Sequence, residues 1–88
     1  MAYYIMVYDV EVSRVGKIHK YLKRYLSWVQ NSVFEGELTE SEILKVKKDI
    51  KKIIKEEEDS VLIFSVPSKN RLEKEHLGIE KNEPTNII

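Results

Sequence analysis

The stretch Tyr3 to Val10, YYIMVYDV, constrains this chain more than any other, because it reads as an extended strand that is apolar on both faces and delivers a carboxylate at its end. On a period of two, Tyr3, Ile5, Val7 and Asp9 share one face, and Tyr4, Met6, Tyr8 and Val10 share the other. Such a strand needs cover on both sides. Helices account for one side, and a second copy of the chain is the expectation for the other. At 88 residues the chain makes one domain, near the size at which a single core only just sustains itself, which also favours an oligomer.

Composition removes several classes of function. With no cysteine, a disulfide framework, a thiolate nucleophile and a zinc-thiolate site are excluded. The apolar runs are too short to span a bilayer and no signal-peptide pattern opens the sequence, so a soluble cytoplasmic protein without a membrane partner is expected. Lys plus Arg and Asp plus Glu each number 15, so any case for nucleic-acid binding must come from where the charges lie.

After the first strand, Val15, Ile18, Leu22 and Leu26 recur at helical spacing, with Ser13 as the expected N-cap. Arg14, Lys17, His19, Lys20, Lys23 and Arg24 occupy the other faces. Ser27 to Leu38, SWVQNSVFEGEL, reads as a strand with a bend or bulge at Gly36. Alternation along it sets Trp28, Gln30, Ser32 and Phe34 on one side. That side serves either as core packing or as a surface for stacking and hydrogen-bonding nucleic acid. Thr39 and Glu42 then form a capping box, and Ile43, Val46, Ile50 and Ile53 carry the buried stripe of a second helix. Glu56 to Asp59 reads as a polar loop, since consecutive acids do not converge on one ion. Ser60 to Val66, SVLIFSV, is a further strand apolar on both faces, expected beside the first in the middle of a sheet, and Pro67 closes it. Glu75 to Ile79 is a short candidate strand with a bend at Gly78, and the chain ends in Ile87 and Ile88.

Read this way the chain runs strand, helix, strand, helix, strand, strand, and the expected fold is the α+β ferredoxin-like βαββαβ sandwich, to which this order comes close. Residues 1–80 form the domain and 81–88 a tail that could add an extra strand across a dimer. Two helices would cover one face of an antiparallel sheet, and a homodimer would cover the other. Asp9 has no acidic companion or metal-spaced histidine nearby, and a lone strand-end aspartate commonly caps the following helix. A two-fold axis beside it would instead make a pair of carboxylates. Magnesium, which keeps most of its waters, needs little more.

These residues together resemble the CRISPR-associated protein 2 family. The resemblance is carried by YYIMVYDV with Arg14 and Lys17 after it, by YLSWVQNSVFEGEL at Tyr25 to Leu38, and by DSVLIFSV at Asp59 to Val66. It implies a ferredoxin-like homodimer whose facing strand-end aspartates, here Asp9, hold Mg2+ or another divalent cation such as Mn2+. It further implies nucleic-acid contacts at Arg14, Lys17, Gln30, Ser32 and Phe34. Two roles come with the family. In the first, the dimer bridges CRISPR-associated protein 1 integrase dimers and holds the DNA spacer precursor. In the second, paired Asp9 residues support metal-dependent endonuclease activity on single-stranded RNA or double-stranded DNA, including a toxin-like ribonuclease role. The adaptation scaffold is the primary expectation and the nuclease the second. Trp28 stands where many relatives carry arginine, and the second arginine near Arg14 is missing, which weakens the expected grip on phosphate.

Overall fold

In the computed structural model, which describes residues 1–81, strand β1 (Ala2–Asp9) runs through the middle of a four-stranded antiparallel sheet. It is followed by α1 (Val12–Leu22), β2 (Ser27–Gln30), β3 (Val33–Leu38), α2 (Glu40–Ile53) and β4 (Ser60–Val66). The strand order is β2-β3-β1-β4. This is the ferredoxin-like α+β sandwich, with both helices on one face.

The helix-covered face is the one that begins with Met6 and Tyr8. These two residues pack against Ile18 and Leu22 of α1, Phe34 and Leu38 of β3, and Ile43, Val46 and Ile50 of α2. Leu26 joins the same core from beyond the end of α1, which stops at Leu22. The capping box on α2 is formed, with Glu42 N–H donating to Thr39 Oγ1 at 3.1 Å and Thr39 N–H donating to Glu42 Oε1 at 2.8 Å. On α1 the cap is Glu11 rather than Ser13: its carboxylate accepts the Ser13 N–H at 2.7 Å, and Ser13 lies inside the helix.

The largest departure from the sequence reading is at Ser27 to Leu38, which is a hairpin and not one strand. Its turn is at Asn31, whose φ of 45° lies in the left-handed region that asparagine tolerates better than most residues. The turn folds Trp28 back opposite Phe34, with an irregularity between Trp28 and Gln30. Gly36 makes no bulge: it pairs regularly with Tyr4. A side chain there would start 3.0 Å from Leu26 Cδ2, so the glycine serves close approach of the α1–β2 connection to β3.

Two further expectations are corrected at the end of the chain. β4 pairs with β1 as expected, yet it is an edge strand of the described sheet and not an interior one. Glu75 to Ile79 forms no strand; it belongs to an irregular segment with Gly78 at φ 95°. That segment returns towards the sheet, where Lys74 ion-pairs with Glu35 and Lys69 sits over the Tyr3 ring, 5.9 Å from its centroid. The expected terminal strand at Asn86 to Ile88 lies outside the described residues.

Candidate metal and nucleic-acid site

The face of the sheet away from the helices carries Tyr3, Ile5 and Val7 of β1, flanked in register by Val66, Phe64 and Leu62 of β4 and by Glu37, Glu35 and Val33 of β3. Tyr3 is buried, but Leu62 and Phe64 are 55 % and 54 % exposed. Neighbouring large apolar groups left in water on the edge strand of a sheet form the kind of patch found at interaction surfaces. Asp9 continues this face at the end of β1, paired in register with Ser60, and its side chain is exposed.

A shallow hollow opens beside Asp9, lined also by Tyr8, Val10, Val15, Asn31 and Ser32. One hydrogen bond to β1 brings the β2–β3 turn there, and a second braces the turn from within its own hairpin. Tyr8 N–H donates to the Ser32 carbonyl at 3.1 Å, which extends the β1–β3 ladder to the turn, and the Trp28 indole N–H donates to the Asn31 carbonyl at 2.9 Å. Behind the hollow, Tyr8 Oη lies 3.1 Å from His19 Nδ1, and the His19 ring meets Phe34 and Trp28 edge-on at 5.0 and 5.9 Å. Burial, with the nearby Lys23 charge, holds the His19 imidazole below its ordinary pKa, so it sits there neutral at pH 7.

The expected nucleic-acid residues are distributed unevenly around this hollow. Lys17 is exposed on α1, and Ser32 lines the hollow itself. Gln30 is half-buried at the irregular end of β2. Phe34 is 0 % exposed, at the centre of the core, and this overturns its assignment as a stacking surface. Stacking on one base is worth about 1–3 kcal/mol. Withdrawing a buried phenylalanine from its core costs about 3–5 kcal/mol, so Phe34 stays where it is.

Arg14 is also committed elsewhere. Its Nε donates to Asp59 Oδ2 at 2.7 Å, while its Nη2 reaches Asp59 Oδ1 at 3.0 Å and Glu58 at 3.1 Å, and only 15 % of the side chain remains exposed. Asp59, read from sequence as part of a polar loop, is the hub of this end of the molecule. Its fully covered carboxylate also accepts the Glu11 N–H at 2.9 Å and the Lys55 N–H at 2.8 Å. The Arg14 guanidinium first, and these two backbone donors after it, hold the Asp59 carboxyl far below the usual carboxylate range. The start of α1, the loop after α2 and the start of β4 are thereby tied together.

Asp9 therefore stands apart as an exposed carboxylate with hard oxygen donors, the ligand type that magnesium and manganese take. Among the described residues no three His, Asp or Glu side chains gather around an ion, so one protomer offers a single carboxylate at this position. A single carboxylate suits a hard divalent cation that keeps most of its waters, and it does not make a closed cage.

Fold and site together define a class: small ferredoxin-like proteins with one open sheet face and an acidic residue exposed at the end of the central strand. The chain belongs to the Cas2 family, since the family model described as CRISPR associated protein Cas2 matches residues 1–74. It is 52 % identical over 86 residues to the CRISPR-associated endoribonuclease Cas2 of Methanocaldococcus jannaschii, covering 98 % of this chain and 75 % of that one. It is 51 % identical to the protein of the same name from Pyrococcus furiosus, covering 98 % of this chain and 99 % of that one. A crystal structure of Cas2 superposes with a TM-score of 0.84 at 47 % identity, covering 99 % and 98 % of the two chains. The Streptococcus pyogenes Cas2 structure gives a TM-score of 0.71 at 30 % identity over 84 % of this chain and 99 % of that one.

Proposed function

We propose that the protein is a homodimeric, divalent-metal-dependent endonuclease that cleaves RNA, with Asp9 from each protomer holding Mg2+ or Mn2+. The observation that carries this reading is the position of Asp9, exposed at the end of β1 on the same face as Ile5, Val7, Leu62 and Phe64. Burying that face against a second copy removes apolar surface from water at about 25 cal/mol per Å² and sets two carboxylates near the symmetry axis. RNA is named as substrate because the relatives at about half identity are called endoribonucleases.

When bound, such an ion would make a coordinated water more acidic and offset the charge of a phosphodiester. The chain's own contribution is to fix the Asp9 carboxylate at the end of a paired strand, with Lys17 exposed on α1 as a cation for phosphate elsewhere along the bound strand. His19 is tied to Tyr8 inside the fold, which removes it as a general base in this arrangement.

A second role is favoured by a separate observation. Lys17, Lys20, Lys23 and Arg24 on the α1 side, with Lys47, Lys48, Lys51, Lys52 and Lys55 on the α2 side, are all exposed, so the helical layer is basic over more surface than one scissile bond needs. That breadth suits a duplex lying along the dimer, as in a subunit that holds the DNA spacer precursor between integrase dimers during CRISPR adaptation.

Phe64→Glu tests the common foundation. The charge falls on a side chain that the single protomer leaves exposed, so folding is retained while dimerisation is opposed. Sedimentation should show a single subunit and metal-stimulated RNA cleavage should vanish. A Phe64→Glu protein that cleaves RNA as a monomer removes the shared Asp9 site from consideration.

A further inference from the structure

We propose that the Asn31–Ser32 turn forms the subsite for the nucleotide next to the scissile phosphodiester, with the Asn31 carboxamide contacting its ribose. This rests on the reading of Asp9 given above. The hollow beside Asp9 has one carboxylate wall, one amide-and-hydroxyl wall from Asn31 and Ser32, and an apolar part made by Val10 and Val15. Its volume is about 250 Å³, below the roughly 300 Å³ at which ordinary small-ligand pockets begin. It suits one sugar and part of its base, the rest of a strand continuing over open surface.

The chemistry of the rim matches a ribose. A carboxamide donates and accepts hydrogen bonds at once, and so does a 2′-hydroxyl, the group by which proteins distinguish RNA from DNA. Asn31 is exposed, and among the described residues its carboxamide makes no hydrogen bond; only its backbone carbonyl is engaged, by the Trp28 indole. The turn is nevertheless held firmly. The Trp28 and Tyr8 hydrogen bonds fix it on both sides, so an unoccupied amide is carried on a fixed frame next to Asp9. Such preorganisation is what a positioning contact requires.

The backbone at Asn31 determines which substitutions are informative. At φ 45° alanine would add strain, whereas glycine adopts this conformation freely and aspartate tolerates it. Asn31→Gly therefore deletes the carboxamide and keeps the turn. Asn31→Asp keeps the shape and replaces the donor with a charge that repels phosphate. Trp28, the one tryptophan in the sequence, bonds to the Asn31 carbonyl, so its emission reports directly on the turn.

The experiment titrates a labelled single-stranded RNA, and DNA of the same sequence, into the full-length protein with a chelator present to prevent cleavage. RNA binding is followed by anisotropy and by Trp28 emission. Asn31→Gly should weaken RNA binding about 5- to 10-fold, the worth of one hydrogen bond, and DNA binding less. Asn31→Asp should weaken RNA binding at least as much, with a deficit that shrinks as salt is added. The emission of both RNA-free variants should match the parent. Should glycine disturb that emission, the aspartate variant decides alone. Unchanged RNA binding overturns the subsite, and equal losses on RNA and DNA overturn the ribose contact. Weakened RNA binding in a protein that shows no metal-stimulated cleavage would support the contact and overturn the hydrolytic reading, so the two fail separately.

Discussion

Asp9, at the end of β1, and Asp59, just before β4, stand at the same end of the sheet and do opposite work. Asp9 pairs in register with Ser60, one residue from Asp59, yet Asp9 is exposed while the Asp59 carboxylate is wholly covered. Asp59 takes donors from Arg14, Glu11 and Lys55, and those contacts organise three segments of chain. A carboxylate so fully satisfied has no capacity left for an ion or a substrate. The difference shows that an acid beside a proposed site is assigned by what its oxygens already accept, because position alone makes the two look equivalent.

Separating the two aspartates by mutation gives the largest expected effects. Asp9→Asn should reduce metal-stimulated RNA cleavage at least about 100-fold, the scale of losing an electrostatic contact to the reacting group. Its dimer and melting temperature should not change. A variant that retains full metal-stimulated cleavage would end the assignment of Asp9 as the metal ligand.

Asp59→Ala should show the reverse pattern. It leaves the Arg14 guanidinium and two backbone N–H groups without their shared acceptor, which should lower the melting temperature by roughly 10 °C or more. Residual folded protein should keep its specific activity. Acid acts on the same contact: the folded-state pKa lies below the ordinary value of 3.8, so the unfolded chain binds the proton first as pH falls. The stabilisation is complete above about pH 4 and is lost progressively below it. An acid-unfolding curve for Asp59→Asn that coincides with the parent's would show that the hub adds nothing.

Arg14 and Lys17 carry the comparison from acids to bases, at a smaller scale. One guanidinium belongs to Asp59, and the nearby ammonium faces solvent. Arg14→Ala should destabilise the fold, and Lys17→Ala should leave it alone. Lys17→Ala should weaken nucleic-acid binding a few-fold for every sequence and reduce the salt slope by about 1 for each phosphate that is no longer neutralised. Salt titrations of both variants separate the roles; a lowered slope for Arg14→Ala in the still-folded protein would return that residue to the phosphate surface.

Local signals explain most of what the sequence made legible. The two-faced β1 strand, the Thr39–Glu42 capping box and the apolar stripe of α2 depend on neighbours within one or two turns, and each is present. The Ser27 to Leu38 hairpin was hidden because its turn contains no glycine or proline, and the asparagine in left-handed conformation sits inside an otherwise strand-like run. Asp59 was hidden for the opposite reason: its partners Arg14 and Glu11 are 45 and 48 residues away, beyond any periodicity. The arginine could have been weighed against the acidic run at Glu56 to Asp59, since a basic residue opening α1 and an acid preceding β4 meet in this topology. Phe34 was assigned to nucleic acid through the family resemblance; alternation had left core packing open for its side, and the core is where it lies, paired with Trp28.

The smallest expected effect tests whether the Asp9 side of the comparison has a titrating support of its own. His19 faces Tyr8 and the Lys23 charge, with Trp28 and Phe34 against its ring, and burial keeps its folded-state pKa below the ordinary 6.5. As pH falls from 7, the unfolded chain therefore takes up the proton before the folded one does, and stability declines through the region below about 6.5. Melting temperatures measured from pH 7.5 to 5 should fall by a few degrees in the parent and stay level in His19→Gln. The Asp59 hub contributes no slope there, because its window lies below about pH 4. An equal slope in His19→Gln would mean that another group drives the change, and that the aromatic support behind the Asp9 hollow is indifferent to protonation.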